Sequence, residues 1–238
     1  MASLPPQDCC TQGVKYEGTP KGSFIDIGAI STYVAGDRSS KKVLLLLTDV
    51  LGPTFTNCQL ISDAYAKQGY YVVMPDLFNG DPKPLNAGMS PEWFNRHTLE
   101  VTQPIVDEVV NYIKSELKPV QLSSIGYCFG ARYVVRLLGT KAIDVGAIAH
   151  PSFVQLEEVA AVQKPLIIIG AETDPIYTPE HRFATEAKLH EIKATYFTTQ
   201  ISGTSHGFAL RGDKNDKWMS LAVNKAFSDS VWWFKTFE

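Results

Sequence analysis

The chain has 238 residues, 45% of them hydrophobic and 20% charged, with a formal charge of −3 at pH 7. This length and composition fit a single domain (1–238) with a sizeable core and exclude the low-hydrophobicity, high-charge pattern of a disordered chain. The weakly acidic balance offers no basic field to a phosphate backbone, so nucleic acid is not an expected partner.

Residues 1–22 read as an irregular N-terminal arm. Met1 to Asp8 lacks a charged n-region and an apolar h-region, so no secretory signal is expected and a cytoplasmic protein is. The longest apolar run, Val43 to Leu47, falls far short of the roughly 20 residues that cross a bilayer, so no membrane partner is expected. Cysteines stand at 9, 10, 58 and 128. Reduced thiols are expected in such a chain, and the Cys9-Cys10 pair lacks a second Cys or His cluster at zinc spacing, so no metal and no cofactor are assigned.

After the arm, Phe24 to Ile27 and Thr32 to Ala35 have the look of two short antiparallel edge strands. From Val43 onward, short continuous apolar runs alternate with helical periodicity, the pattern of buried parallel strands joined by crossover helices. The predicted strands are Val43–Thr48, Tyr70–Met74, Ser123–Gly126, Val145–Ala149, Leu166–Gly170 and Thr195–Thr199. Between them, Val101, Ile105, Val106, Val109, Val110, Ile113 and Leu117 recur at helical spacing and form one apolar face. A last helix is predicted from near Asn215 to the aromatic cluster Trp232, Trp233 and Phe234, read as a buried anchor.

The chemistry-bearing segment is Leu122 to Gly139. An apolar strand runs into Gly126-x-Cys128-x-Gly130 and then into a helix, which is a nucleophile elbow with cysteine as the nucleophile. The glycines two residues away leave room for a strained strand-to-helix turn, and the helix N-terminus favours the thiolate, the attacking species. Such a nucleophile needs a base and a carboxylate that orients it, in the chain order nucleophile, acid, histidine. Asp174 follows the strand Leu166–Gly170 and precedes Pro175, which suits a turn, whereas its competitor Glu172 stands nearer the strand end. His206 lies in the loop after the strand Thr195–Thr199. His97, His150, His181 and His190 read as bystanders, with His150 the least secure because it ends a strand. The oxyanion would be held by the backbone N–H groups of Phe129 and Val50. Asp49, an acid ending the most apolar strand, is read as functional because a buried carboxylate is costly unless used.

Taken together, Asp49-Val-Leu-Gly52, Pro75-Asp-Leu-Phe78, Gly126-Tyr-Cys-Phe-Gly130, Asp174 and His206-Gly-Phe make the chain resemble the dienelactone hydrolase family across nearly its whole length. Cys9-Cys-Thr-Gln-Gly13 and Ser205-His-Gly-Phe-Ala-Leu-Arg-Gly-Asp213 are similar to fungal members. The resemblance implies an α/β-hydrolase fold, with a mostly parallel central sheet flanked by helices on both faces. It also implies a Cys-Asp-His triad, no cofactor, and hydrolysis of a small-molecule enol-lactone or activated ester. The bacterial prototype has Glu at the place of Asp49, and a substrate-binding Arg four residues after its histidine, where this chain has Leu210 with Arg211 next to it. Asp49, Arg211 and Trp93 are therefore the substrate-binding candidates. Two other readings stay open at this point: an isomerase or cyclase of a secondary metabolite on the same fold, and a ligand-binding or thiol-sensing module. Monomer and homodimer are equally open.

Overall fold

A computed structural model describes residues 1–238. Its centre is one eight-stranded sheet in the order β1-β2-β4-β3-β5-β6-β7-β8. The strands are β1 (Ser23–Ile27), β2 (Ile30–Ala35), β3 (Lys42–Leu47), β4 (Tyr71–Pro75), β5 (Gln121–Tyr127), β6 (Val145–Ala149), β7 (Leu166–Thr173) and β8 (Tyr196–Ser205). Strand β2 is antiparallel to both β1 and β4, and every pairing from β4 through β8 is parallel. All eight predicted strands are present. The ends of β7 and β8 differ most, each running several residues further than apolarity alone marks out.

The helices are α1 (Thr56–Ala66), α2 (Pro91–Arg96), α3 (Leu99–Tyr112), α4 (Ala131–Gly139), α5 (Leu156–Ala160), α6 (Pro179–Glu191), α7 (Phe208–Arg211) and α8 (Lys217–Thr236). Strand β3 shows why they cover both faces. Val43, Leu45 and Leu47 pack into a core shared with Val106, Val109, Val134 and Leu138 of α3 and α4. Leu44 and Leu46 point the other way, into a second core with Tyr65 of α1 and Ala226 and Phe234 of α8. The five side chains from Val43 to Leu47 are fully buried, so alternation between two covered faces yields an unbroken apolar run. In α8, Trp233 and Phe234 are buried as expected, whereas Trp232 is half exposed and Trp218 stands outside the core, as a helix with one inward face requires. No helix is long and apolar enough to cross a membrane.

The arm is irregular, as expected, with only a 3-10 turn at Asp8–Cys10. It is nevertheless tightly packed: Ala2, Ser3, Cys10 and Thr11 are buried. Backbone bonds tie it down, from Ala2 and Ser3 N–H to Val154 O, Leu4 N–H to Ile176 O and Asn86 N–H to Thr11 O. These contacts lay the arm across the carboxyl ends of the central strands.

Candidate active site

Strand β5 delivers Cys128 into a turn with φ of +48°, a left-handed conformation that a side-chain-bearing residue adopts at a cost. The flanking glycines make the turn possible. A Cβ on Gly126 would lie 2.5 Å from Gly130 O, and one on Gly130 would lie 2.2 Å from Leu47 O. The turn leads into α4, whose N-terminus points its positive end toward the sulfur. This is the strand-turn-helix context that the Gly-x-Cys-x-Gly spacing predicts.

Asp174 follows β7, and its Oδ1 accepts hydrogen bonds from the N–H groups of Ile176 and Tyr177 at 2.8 and 2.9 Å, which fix the carboxylate. His206 follows β8, with its N–H donating to Thr173 O. His206 Nδ1 lies 3.0 and 2.9 Å from the two Asp174 oxygens. A carboxylate only accepts, so Nδ1 carries the proton toward it and Nε2 is left facing the sulfurs. Glu172 is turned elsewhere: its carboxylate accepts from Gly203 N–H at 2.7 Å.

The sulfurs are two. Cys10, from the arm, lies 3.3 Å from Cys128 Sγ and 3.4 Å from His206 Nε2. Ser152 Oγ, in the loop after β6, is 3.6 Å from Cys128 Sγ. Neither Cys10 nor Ser152 is among the residues that the sequence singles out for the site. Cys10 belongs to the Cys9-Cys10 pair, visible but without a partner until the chain folds. Burial alone would raise the Cys128 thiol, but the Cys10 hydrogen bond and the charges of His206 and Arg211 outweigh it and hold the thiol well below its ordinary range. Burial likewise works to lower His206, yet the Cys128 thiolate and Asp174 raise it to about 10. Both shifts favour the thiolate and imidazolium forms of the pair.

Asp49, two residues past the end of β3, is fully buried, its Oδ1 accepting from Leu51 N–H at 3.0 Å and its Oδ2 paired with Arg211 Nη1. Burial raises its carboxyl above the ordinary range, against the pull of Arg211. Arg211 is buried too, and it also donates to Gln12 O at 2.9 Å and Cys9 O at 3.3 Å, so the cation clasps the arm. The Val50 N–H has no acceptor among the loop and turn hydrogen bonds. Phe129 packs against Trp93 and Phe78, and Trp93 donates to Asp81 O at 2.8 Å, so Trp93 is fixed against the residue that follows Cys128. His97 belongs to that cluster, with Nδ1 at 2.8 Å from Trp93 O. His150 is fully buried against His206 with both ring nitrogens unpartnered. Burial, with His206 and Arg211 beside it, keeps its pKa far below the ordinary imidazole value.

A cleft of about 430 Å³ opens outside His206, bounded by Cys9, Gln12, Ser205, Gly207, Arg211 and Met219 among others. It borders His206, whose side chain is itself buried, and stops short of Cys128, whose exposure is 0% beneath the arm.

Comparison with known proteins agrees with this architecture. Hydrolase tropI of Talaromyces stipitatus is 38% identical over 250 residues, covering 100% of this chain and 98% of that protein. Dienlactone hydrolase 1 of Gibberella moniliformis is 32% identical over 248 residues, covering 98% and 94% respectively. Among solved structures, a putative dienelactone hydrolase from Klebsiella pneumoniae superposes with a TM-score of 0.75 over 92% of this chain and 100% of that one, at 12% identity, a likeness of fold. The sequence profile of the dienelactone hydrolase family matches residues 30–238, leaving the arm outside it. The chain is a hydrolase and belongs to the dienelactone hydrolase family.

Proposed function

We propose that this protein cleaves an enol-lactone or activated ester of a small molecule through a covalent acyl-cysteine. In this reading Cys128 is the nucleophile, His206 the proton carrier, and Asp174 the carboxylate that orients the imidazole. The observation that carries it is the fixed His206 Nδ1 to Asp174 pair at 2.9 Å beside a cysteine on a glycine-flanked elbow. Two relatives bear the name dienlactone hydrolase, and others carboxymethylenebutenolidase homolog, which points to the same bond class.

The cycle follows from the charges. With the arm lifted so that Cys10 leaves the sulfur, the Cys128 thiolate attacks the carbonyl carbon, and the C=O electrons move to oxygen. The N–H groups of Val50 and Phe129 hold that oxyanion. Collapse expels the alkoxide or enolate, which takes the proton from His206 Nε2. The resulting thioester is neutral, so the chief influence raising His206 is gone while burial still lowers it. The imidazole then becomes a base, takes a proton from water, and hydroxide adds to the thioester. The acid product departs and the thiolate is restored. Asp49 and Arg211 keep each other neutralised near the sulfur, and Arg211 borders the cleft.

The test is Cys128→Ala and Cys128→Ser on a panel of enol-lactones and aryl esters. Turnover falls at least about ten-thousandfold, and intact-mass measurement shows an acyl adduct on the native chain alone. Undiminished turnover in Cys128→Ala, or turnover of native protein without any acyl-cysteine under rapid quench, overturns the reading.

A further inference from the structure

Three metal-ligating side chains from distant parts of the sequence meet beneath the arm. Cys10, Cys128 and His206 are all buried, and their ligand atoms lie within 4.8 Å of one another. The Sγ–Sγ distance from Cys10 to Cys128 is 3.3 Å, and Cys10 Sγ to His206 Nε2 is 3.4 Å. Tetrahedral zinc, with Zn–S of about 2.3 Å and Zn–N of about 2.0 Å, sets S···S near about 3.8 Å and S···N near about 3.5 Å. Side-chain movements of about half an ångström on the Cys10–Cys128 edge, with closure of the Cys128–His206 edge from within 4.8 Å to about 3.5 Å, accommodate such an ion.

The donors match that cation class. Two thiolates and one imidazole form a soft to borderline set, unlike the oxygen cages that hold magnesium or calcium. The surroundings match as well. A metal-bound histidine characteristically donates its other ring N–H to a carboxylate, and His206 Nδ1 already does so to Asp174 at 2.9 Å. Asp174 is in turn fixed by the amides of Ile176 and Tyr177.

We propose that Cys10, Cys128 and His206 constitute a binding site for a zinc-class divalent cation that pins the N-terminal arm over the elbow and silences the hydrolase. On loading, each sulfur binds as thiolate, any thiol proton and the His206 Nε2 proton pass to solvent, and the freed Nε2 lone pair binds the cation. Water takes the fourth position. No oxidation state changes. The loaded site spends both the sulfur and the imidazole nitrogen on the metal, so neither is free to attack or to move a proton. Arm and elbow are then cross-linked by coordination, and release of the cation frees the arm. The site stands on the three-residue geometry alone, whereas the silencing of turnover rests on the hydrolytic reading.

The test uses cobalt(II) as the spectroscopic stand-in for zinc, with the full-length protein held under a phosphine reductant. One equivalent is expected to produce a thiolate charge-transfer band and the intense visible bands of tetrahedral cobalt, both erased by one equivalent of zinc. Cys10→Ser is expected to abolish the tetrahedral spectrum. Asp174→Asn, which leaves all three ligands in place, is expected to weaken zinc binding about ten- to a hundredfold. Zinc is expected to arrest ester turnover of the native chain, with recovery on adding a chelator. An octahedral spectrum, or tetrahedral bands that persist in Cys10→Ser, overturns the site. If the spectrum appears in a protein that turns over no ester, the hydrolytic reading fails and the metal site stands. Turnover without the spectrum sinks the metal site and leaves hydrolysis standing.

Discussion

Cys10 Sγ touches both His206 Nε2, at 3.4 Å, and Cys128 Sγ, at 3.3 Å, so a thiol from the arm covers the proposed nucleophile and the proposed base at once. Because Cys128 is fully buried, reagents must wait for the arm to move. One exposed anchor of the arm is Asp8, whose Oδ1 accepts from Met89 N–H at 2.8 Å. Losing that bond by Asp8→Ala costs the closed arm about 1 kcal/mol, or roughly a fivefold gain in the open population. Iodoacetamide labelling of Cys128, followed by peptide mass mapping, is expected to accelerate by that factor with little change in melting temperature. An unaltered labelling rate would mean that access does not run through the arm.

The pH dependence of that labelling follows from the ion pair. Cys128 is held well below the ordinary thiol range and His206 is raised to about 10. The thiolate is therefore present above the lowered Cys128 value and disappears only as pH falls through it. On the alkaline side, His206 gives up its proton near 10 and the pair dissolves. At a fixed arm-opening equilibrium, the labelling rate is expected to be flat from neutral pH to about 9 and to fall on the acid side. An unactivated thiol would instead gain about tenfold per unit up to about 8.5. A profile of the latter kind would show Cys128 resting as a thiol.

Gly130→Ala tests the elbow. The added methyl meets Leu47 O at 2.2 Å, and that atom belongs to a strand bonded on both sides, so the backbone has little freedom to yield. Overpacking of this sort costs about 1–3 kcal/mol and pushes the turn away from β3. Chemical denaturation is expected to show that loss, accompanied by a fall in kcat far larger than any change in KM. Native stability and native turnover in the variant would remove the steric account of the motif.

Much of this was legible in the sequence, and the part that was not has a physical cause. Continuous apolar runs mark the inner parallel strands because these are buried on both faces, as Val43 to Leu47 are. Cys128, Asp174 and His206 are readable because each follows a strand, in the order that this fold requires. Cys10 is not readable, since an irregular segment has no periodicity and nothing local indicates where it docks. Arg211 illustrates a second limit. Its place beside the histidine suggests a hand for substrate, but sequence cannot tell that its charge already meets Asp49 and the carbonyls of Cys9 and Gln12. Trp93 is similar, an aromatic near the site by position that is buried edge-on against Phe129 once folded.

The Asp49–Arg211 pair yields the sharpest separation of stability from access. Both groups are buried, so Asp49→Asn leaves the guanidinium without its counter-charge in the interior, a loss of about 3–5 kcal/mol. Replacing both partners, as in Asp49→Asn with Arg211→Met, removes the stranded charge and is expected to recover most of that stability. The same double variant also gives up the two bonds from Arg211 to the Gln12 and Cys9 carbonyls. Cys128 should then label faster than in the native chain even though the fold is restored, because only the arm has been loosened. Urea melts and labelling rates on the same three proteins separate the two effects. If Asp49→Asn alone were as stable as the double variant, the pair would not be a mutually compensating buried one. If the double variant labelled at the native rate, Arg211 would not be what fastens the arm.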